Sequence, residues 1–197
     1  MKLFYSQSSP YVRLVRVFAH HHNLADEIEL VPGNLGKDET ELRKANPLGK
    51  IPALIDRNNR CLYDSRTILY YLDEIGSGTK LFDSHNANYI DHQRDLALLI
   101  GILEHGVALI MDKRRKLDDM PDFMQERWMY GIRLGLQELD AIVLKGLSDV
   151  LALFAPVILD WLNFRLPEAY DQPKFSRLGK LLSRVNNEVY KNSDPRL

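Results

Sequence analysis

The sequence predicts an α/β domain of order β-α-β-α-β-β-α on a mixed four-stranded sheet, followed by an all-α helical bundle. Two observations predict it. Over residues 1–76 short apolar runs take turns with three- and four-residue apolar spacing, as strands take turns with helices; beyond the breaker Gly76-Ser77-Gly78-Thr79 only the helical spacing remains. The chain has 197 residues, 45% of them hydrophobic, which suffices for a sizeable core. A domain over 1–76, a linker over 77–86 and a helical domain over 87–197 are expected.

Each element has its own signal. Lys2 to Tyr5 is a short apolar strand. The polar run Ser6-Gln7-Ser8-Ser9 then meets Pro10, and serine before proline starts a helix, because proline's fixed φ suits the first helical position and its missing N–H is not needed there. Val15, Phe18 and Ala19 mark one face of it. Glu27 to Val31 is the second strand, Pro32-Gly33-Asn34-Leu35-Gly36 a break, and Asp38 to Ala45 a short polar helix. After Asn46-Pro47-Leu48-Gly49, the run Ile51 to Asp56 is the third strand. Arg57-Asn58-Asn59-Arg60 turns it back onto Cys61 to Tyr63 as an antiparallel hairpin. From Ser65, the spacing Ile68, Tyr71, Leu72, Ile75 gives a helix ending near Gly76.

In the second part, Leu96, Leu99, Leu103, Val107 and Ile110 define one long amphipathic helix, and Met129, Ile132, Leu136, Leu139 and Val143 a second, with Pro121 between them. Asp149 to Phe164 is apolar on nearly every side, so it belongs at the centre of the bundle, with a kink expected at Pro156. A last helix is expected from about Pro173 to Tyr190.

The charges exclude several functions. With 26 basic and 27 acidic residues the formal net charge is -1, so no global field draws the chain to nucleic acid or an anionic membrane. No stretch approaches the ~20 apolar residues of a membrane span, and the start lacks the apolar run of a signal peptide, so a cytoplasmic protein is expected. The lone Cys61, in an apolar-flanked strand, is expected to be a buried structural thiol. Neighbours on a helix point about 100° apart, so His20-His21-His22 cannot converge on one metal ion and is expected to be a surface helix end. His92 and His105 lack spaced ligand partners, and no metal is expected. Lys113-Arg114-Arg115-Lys116, followed by Asp118 and Asp119, is a solvated helix end.

Three segments go further. Ser8-Ser9-Pro10-Tyr11-Val12-Arg13 after the first strand, Asn46-Pro47-Leu48-Gly49-Lys50-Ile51-Pro52 before the third, and Tyr63-Asp64-Ser65 opening the third helix resemble, in order and spacing, the glutathione-site signature of glutathione transferases. The resemblance is strong over residues 1–75, weaker in the helical part, and within the superfamily it is to the serine-type classes and small bacterial transferase-like proteins. Where cysteine-type relatives carry their cysteine, this chain has Ser9. The resemblance implies a thioredoxin-like first domain, glutathione as co-substrate, a small electrophile of unread identity, and a homodimer. It assigns Ser9 as the catalytic hydroxyl that donates to the glutathione sulfur. Ser8 takes that role if the turn is offset by one residue. It further assigns the main chain of Ile51, beside a cis Pro52, to the glutathione backbone, Asp64 and Ser65 to its γ-glutamyl end, and Lys50 to its glycine carboxylate, with Asn34 or Lys37 as further candidates.

Each residue also fits an ordinary role. Ser9 suits a helix N-cap, Ser65 an N-cap with Asp64 against the helix dipole, and Lys50 a surface charge. By base rate Ile51-Pro52 is trans, since only about 5–6% of X-Pro bonds in folded proteins are cis. Relatives open the central bundle helix with Ser or Thr three residues before an aspartate; here Asp149 follows Gly146, and the connection from Val143 is short, so a different helix start is expected. An alternative function is a non-catalytic adaptor of the same fold, which needs none of the three segments. Isomerase or dehalogenase chemistry would use the same thiolate.

Overall fold

The computed structural model describes residues 1–33, 40–115, 122–170 and 174–194. Asn34, Leu35, Gly36, Lys37, Asp38, Lys116, Asp118, Asp119, Pro121 and Pro173, named above, lie outside them. The chain divides into two compact units: Met1–Asn86 together with Asn187–Leu197, and Ala87–Asn186.

The first unit is a mixed sheet in the order β2-β1-β3-β4. Strand β1 (Lys2–Tyr5) pairs parallel with β2 (Glu29–Pro32) and antiparallel with β3 (Ala53–Ile55), which pairs antiparallel with β4 (Cys61–Leu62). A parallel β1/β2 pair needs a crossover, and α1 (Pro10–His21) supplies it. Its N-cap is Ser9, with Pro10 at the first helical position. Helices α2 (Glu41–Ala45), capped by the Thr40 hydroxyl, and α3 (Ser65–Ile75) complete the unit. The element order, the mixed sheet and the β3/β4 hairpin follow the expectation, with strand ends shifted: β2 starts later because Ala25–Glu27 winds into a 3-10 turn, and β3 starts only at Ala53.

Helix α1 is buried on more sides than its sequence face predicts. Leu14 and Val17 are as buried as Val15 and Phe18, and even Arg13 is covered. The second cover is the end of the chain. The expected last helix is three pieces, α7 (Ser176–Leu182), a 3-10 stretch Ser183–Asn186 and α8 (Glu188–Lys191), and from Asn187 the chain belongs to the first unit and packs on α1. The second compact unit ends at Asn186.

At the far end of α1 the histidine run departs from expectation. His22 is a buried C-cap: its Nε2 donates to the Asp73 carboxylate at 3.1 Å, and its ring stands edge-on to Phe18. Gly76 makes room for it, since a Cβ there would sit 2.3 Å from the His22 Cβ. Cys61 is half-buried rather than buried, and desolvation pushes its thiol pKa up.

The second unit holds α4 (Tyr89–Arg115), α5 (Asp122–Lys145) and α6 (Asp149–Arg165). As its all-round apolar pattern requires, α6 is the core: Val150, Leu151, Phe154, Val157, Ile158 and Leu162 are buried, and the helix runs on through Pro156. Its N-cap is Ser148, which accepts from the Leu151 N–H and donates to the Asp95 carboxylate at 2.6 Å. The start that Gly146 cannot provide therefore comes from Ser148, two residues later. Among the described residues no helix is long and apolar enough to cross a membrane.

Candidate functional site

The register of the sheet brings three of the sequence segments to one end of the first unit. Phe4 pairs with Ala53 and Leu54 with Leu62. Where β1 runs out into Ser6–Ser9, β3 is therefore just beginning, after Ile51-Pro52, and β4 is just leaving, into Tyr63-Asp64-Ser65. β2 ends there as well: the Gly33 N–H donates to the Tyr5 carbonyl at 2.8 Å, and a Cβ on Gly33 would meet the Ile51 side chain at 2.9 Å. Only a glycine lets the strands close this tightly, and Gly33 belongs to the assembly although the sequence showed it only as a chain breaker.

Ser9 is half-buried and caps α1, its hydroxyl oxygen accepting from the Val12 N–H at 3.3 Å. A hydroxyl has two lone pairs and one O–H, so capping leaves the proton available for donation. The helix adds the partial positive charge of its first-turn N–H groups. Ser8 is exposed.

The Ile51–Pro52 peptide is cis, as the family resemblance implies and against the base rate, and Tyr63–Asp64 is cis also. Among the described residues no main-chain group satisfies the Ile51 N–H or C=O. The turn before it is fixed by Asn46, whose side chain accepts from the Leu48 N–H and donates to the Lys50 carbonyl at 2.9 Å. Lys50 is exposed, with no ion-pair partner among the described residues.

At α3 the cap is Asp64 rather than Ser65: its carboxylate accepts from the Arg66 N–H at 3.0 Å. Ser65 is the first helical residue, nearly buried, and its hydroxyl and N–H have no partner among the described residues. One end of the sheet thus gathers a hydroxyl at one helix N-terminus, an open stretch of main chain, and a hydroxyl with a free N–H at a second helix N-terminus. Such a set can hold an extended peptide with an anionic end and an anionic centre.

Elsewhere, a groove of about 810 Å³ in the second unit is lined by Leu109 and Lys113 of α4, Phe123, Tyr130 and Arg133 of α5, and Glu168. Lys113 and Glu168 pair across it at 2.6 Å. None of the sequence-predicted site residues lies there. Among the described residues no group of His, Cys, Asp or Glu is arranged to hold a metal ion.

A thioredoxin-like sheet domain followed in the chain by an all-helical unit is the two-part fold of the glutathione transferases. Residues 8–75 match the N-terminal domain of glutathione S-transferase, which together with the solved structures below supports the glutathione transferase superfamily. It is 25% identical over 171 residues to an uncharacterised transferase-like protein of Escherichia coli K12, YibF, covering 84% of this chain and 83% of that one. A glutathione transferase family member from Pseudomonas fluorescens Pf-5, solved with bound glutathione, superposes with a TM-score of 0.90 at 27% identity over 98% of each chain. A glutathione S-transferase from Methylobacillus flagellatus KT, also with glutathione bound, gives 0.89 at 28% identity over 98% of each chain.

Proposed function

We propose that the chain is a serine-type glutathione transferase, which binds glutathione at the shared end of its sheet and turns the thiol into a nucleophile for a small electrophile. The carrying observation is the strand register that sets Ser9, Ile51 and Ser65 at one end of one sheet. The two solved relatives that hold glutathione support the ligand.

The chemistry follows from the thiol's pKa. A free thiol titrates near ~8.5, so at neutral pH only a few per cent is thiolate. Lowering that value by two units requires a preference for the anion of about 2.7 kcal/mol. The Ser9 O–H, pointed at the sulfur, and the N-terminal field of α1 supply it together. The thiolate then attacks the electrophile, while Ser9 keeps its proton and forms no covalent bond. Ile51 meets the tripeptide as an added strand would, through its N–H and C=O. The γ-glutamyl carboxylate takes the Ser65 hydroxyl and N–H, Asp64 faces the α-amino group, and Lys50 reaches the glycine carboxylate. A homodimer, a cytoplasmic location and a role in detoxification accompany this reading as expectations.

The test is ultraviolet titration of the bound thiolate in the parent and in Ser9→Ala. The parent is expected to titrate well below the free thiol and the variant close to it. Equal values in the two proteins would remove Ser9 from the mechanism, and a chain that passes unretained through a glutathione matrix would leave only the adaptor function.

A further inference from the structure

Arg13 stands one helical turn after Ser9, and the first hydrogen bond of α1 joins the two: the Arg13 N–H donates to the Ser9 carbonyl at 3.1 Å. Residues four apart share a helix face, and helical side chains lean toward the N-terminus. Arg13 therefore closes the turn that Ser9 opens, through its main chain. Yet it is only 3% exposed, unusual for a guanidinium.

What covers it is the returning end of the chain. Arg13 Nε donates to the Ser193 hydroxyl at 3.4 Å and Nη2 to the Tyr190 carbonyl at 3.5 Å. The Ser193 hydroxyl donates to that same carbonyl at 2.9 Å, so the segment is folded around the arginine's acceptors. Three residues on, Arg16 donates to the Asn192 carbonyl. Burying a guanidinium is expensive, and an apolar side chain would fill this place at lower cost if packing were its only task. The Arg13 charge is felt locally. Burial lowers the hold of Arg16 on its proton, Tyr5 opposes this, and Arg13 adds to it.

We propose that Arg13 is a positioning residue for thiolate formation at Ser9: clasped by residues 190–193, it fixes the first turn of α1 and adds a permanent positive charge to the field there. The inference rests on the proposed role of Ser9. The charged and titratable groups placed near Arg13 are Arg16 on its own helix, which also feels Tyr5, and Tyr190 on the C-terminal segment, whose carbonyl accepts from Arg13. A cation in direct contact shifts a neighbouring acid by about one to three pKa units, so one acting from the next turn is expected to shift it by about half a unit to one.

The experiment is titration of glutathione thiolate bound to the full-length parent, Ser9→Ala, Arg13→Met, Arg13→Lys and Ser193→Ala, with the thermal midpoint of each. Arg13→Met is expected to raise the thiol pKa by about half a unit or more, roughly a threefold or greater loss of thiolate at neutral pH, and Arg13→Lys to keep most of the parent's shift. A parent whose bound thiol titrates like free glutathione overturns the proposed function and this inference with it. A shifted parent and an unshifted Ser9→Ala, with Arg13→Met still at the parent value, overturns this inference alone. Should Arg13→Met not fold, Ser193→Ala decides: a rise in the same direction supports the proposal, and a lowered thermal midpoint with unchanged thiol pKa overturns it.

Discussion

Ser9 and Ser65 share a chemical type and differ in what they are asked to do. Ser9 spends a lone pair on the Val12 N–H and keeps its proton, whereas Ser65, one position inside α3, has its hydroxyl and N–H both open because Asp64 does the capping. If Ser65 binds the γ-glutamyl carboxylate, its hydroxyl contributes equally to ground and transition states. Ser65→Ala should then raise KM for glutathione with little change in kcat, by about tenfold to a hundredfold for a hydrogen bond to a charged group. Steady-state kinetics at varied glutathione checks this, and an unchanged KM would remove Ser65 from the site. These serines were legible as residues, since polar side chains before a helical pattern are conspicuous. Which of Asp64 and Ser65 would cap was not, because both types serve equally well and one residue of offset decides it. Arg13 was legible only as part of a motif, because its burial depends on residues about 180 positions away.

At the scale of elements, α1 and α3 are joined at their C-terminal ends by a polar clasp. Asp73 accepts from His22 Nε2 and from the N–H groups of Leu81 and Phe82 at 2.8 and 3.0 Å, while Lys80 donates to the carbonyls of Asp73, Glu74 and Gly76. Burial by itself would raise the Asp73 pKa; the hydrogen bond from His22 and those from the two main-chain N–H groups outweigh it and hold the carboxyl below its ordinary value. A carboxyl with a depressed folded pKa stabilises the fold above its unfolded pKa, near 3.9, and that stabilisation is lost as pH falls through the folded value. Asp73→Asn should therefore cost about 3 kcal/mol at neutral pH, and the gap from the parent should narrow on acidification below about pH 4. Urea unfolding across that range measures it, and a gap that stays constant through the acid limb would rule out the carboxylate as its source. The same clasp shows where the sequence misled. Three adjacent histidines look like a solvated helix end because a helix gives each a different direction, and only a partner 51 positions away, with a glycine at Gly76 to admit the ring, takes one of them inside. The strands, α1, α3 and the three long helices were legible because their period is local. The break-up of the last helix was not, since α8 is short and its packing is tertiary.

On the scale of the whole molecule, the first unit is built from both ends of the chain, with the helical unit inserted between them. The sequence changes from mixed to purely helical patterning only once, at Gly76–Thr79, and so shows one boundary; the second is a return rather than a change of composition. The return has a consequence that spectroscopy can separate. Both tryptophans, Trp128 and Trp161, lie in the helical unit, so indole emission reports on that unit. Strands β1 and β3 lie in the other. A chain ending at Asn186 loses the buried Tyr190 ring and Ser193 hydroxyl and leaves the Arg13 guanidinium without those acceptors, at a cost of about 2–4 kcal/mol to the first unit. Amide exchange in β1 and β3 should then quicken by about thirtyfold to a thousandfold under native conditions, while the amides of α6 keep their protection and the tryptophan emission its native position. If β1 exchanged at the parent's rate, the C-terminal segment would be a passive appendage. If α6 quickened as much as β1, the loss would be global, and the stabilising action of the segment would not be confined to the unit that carries Ser9.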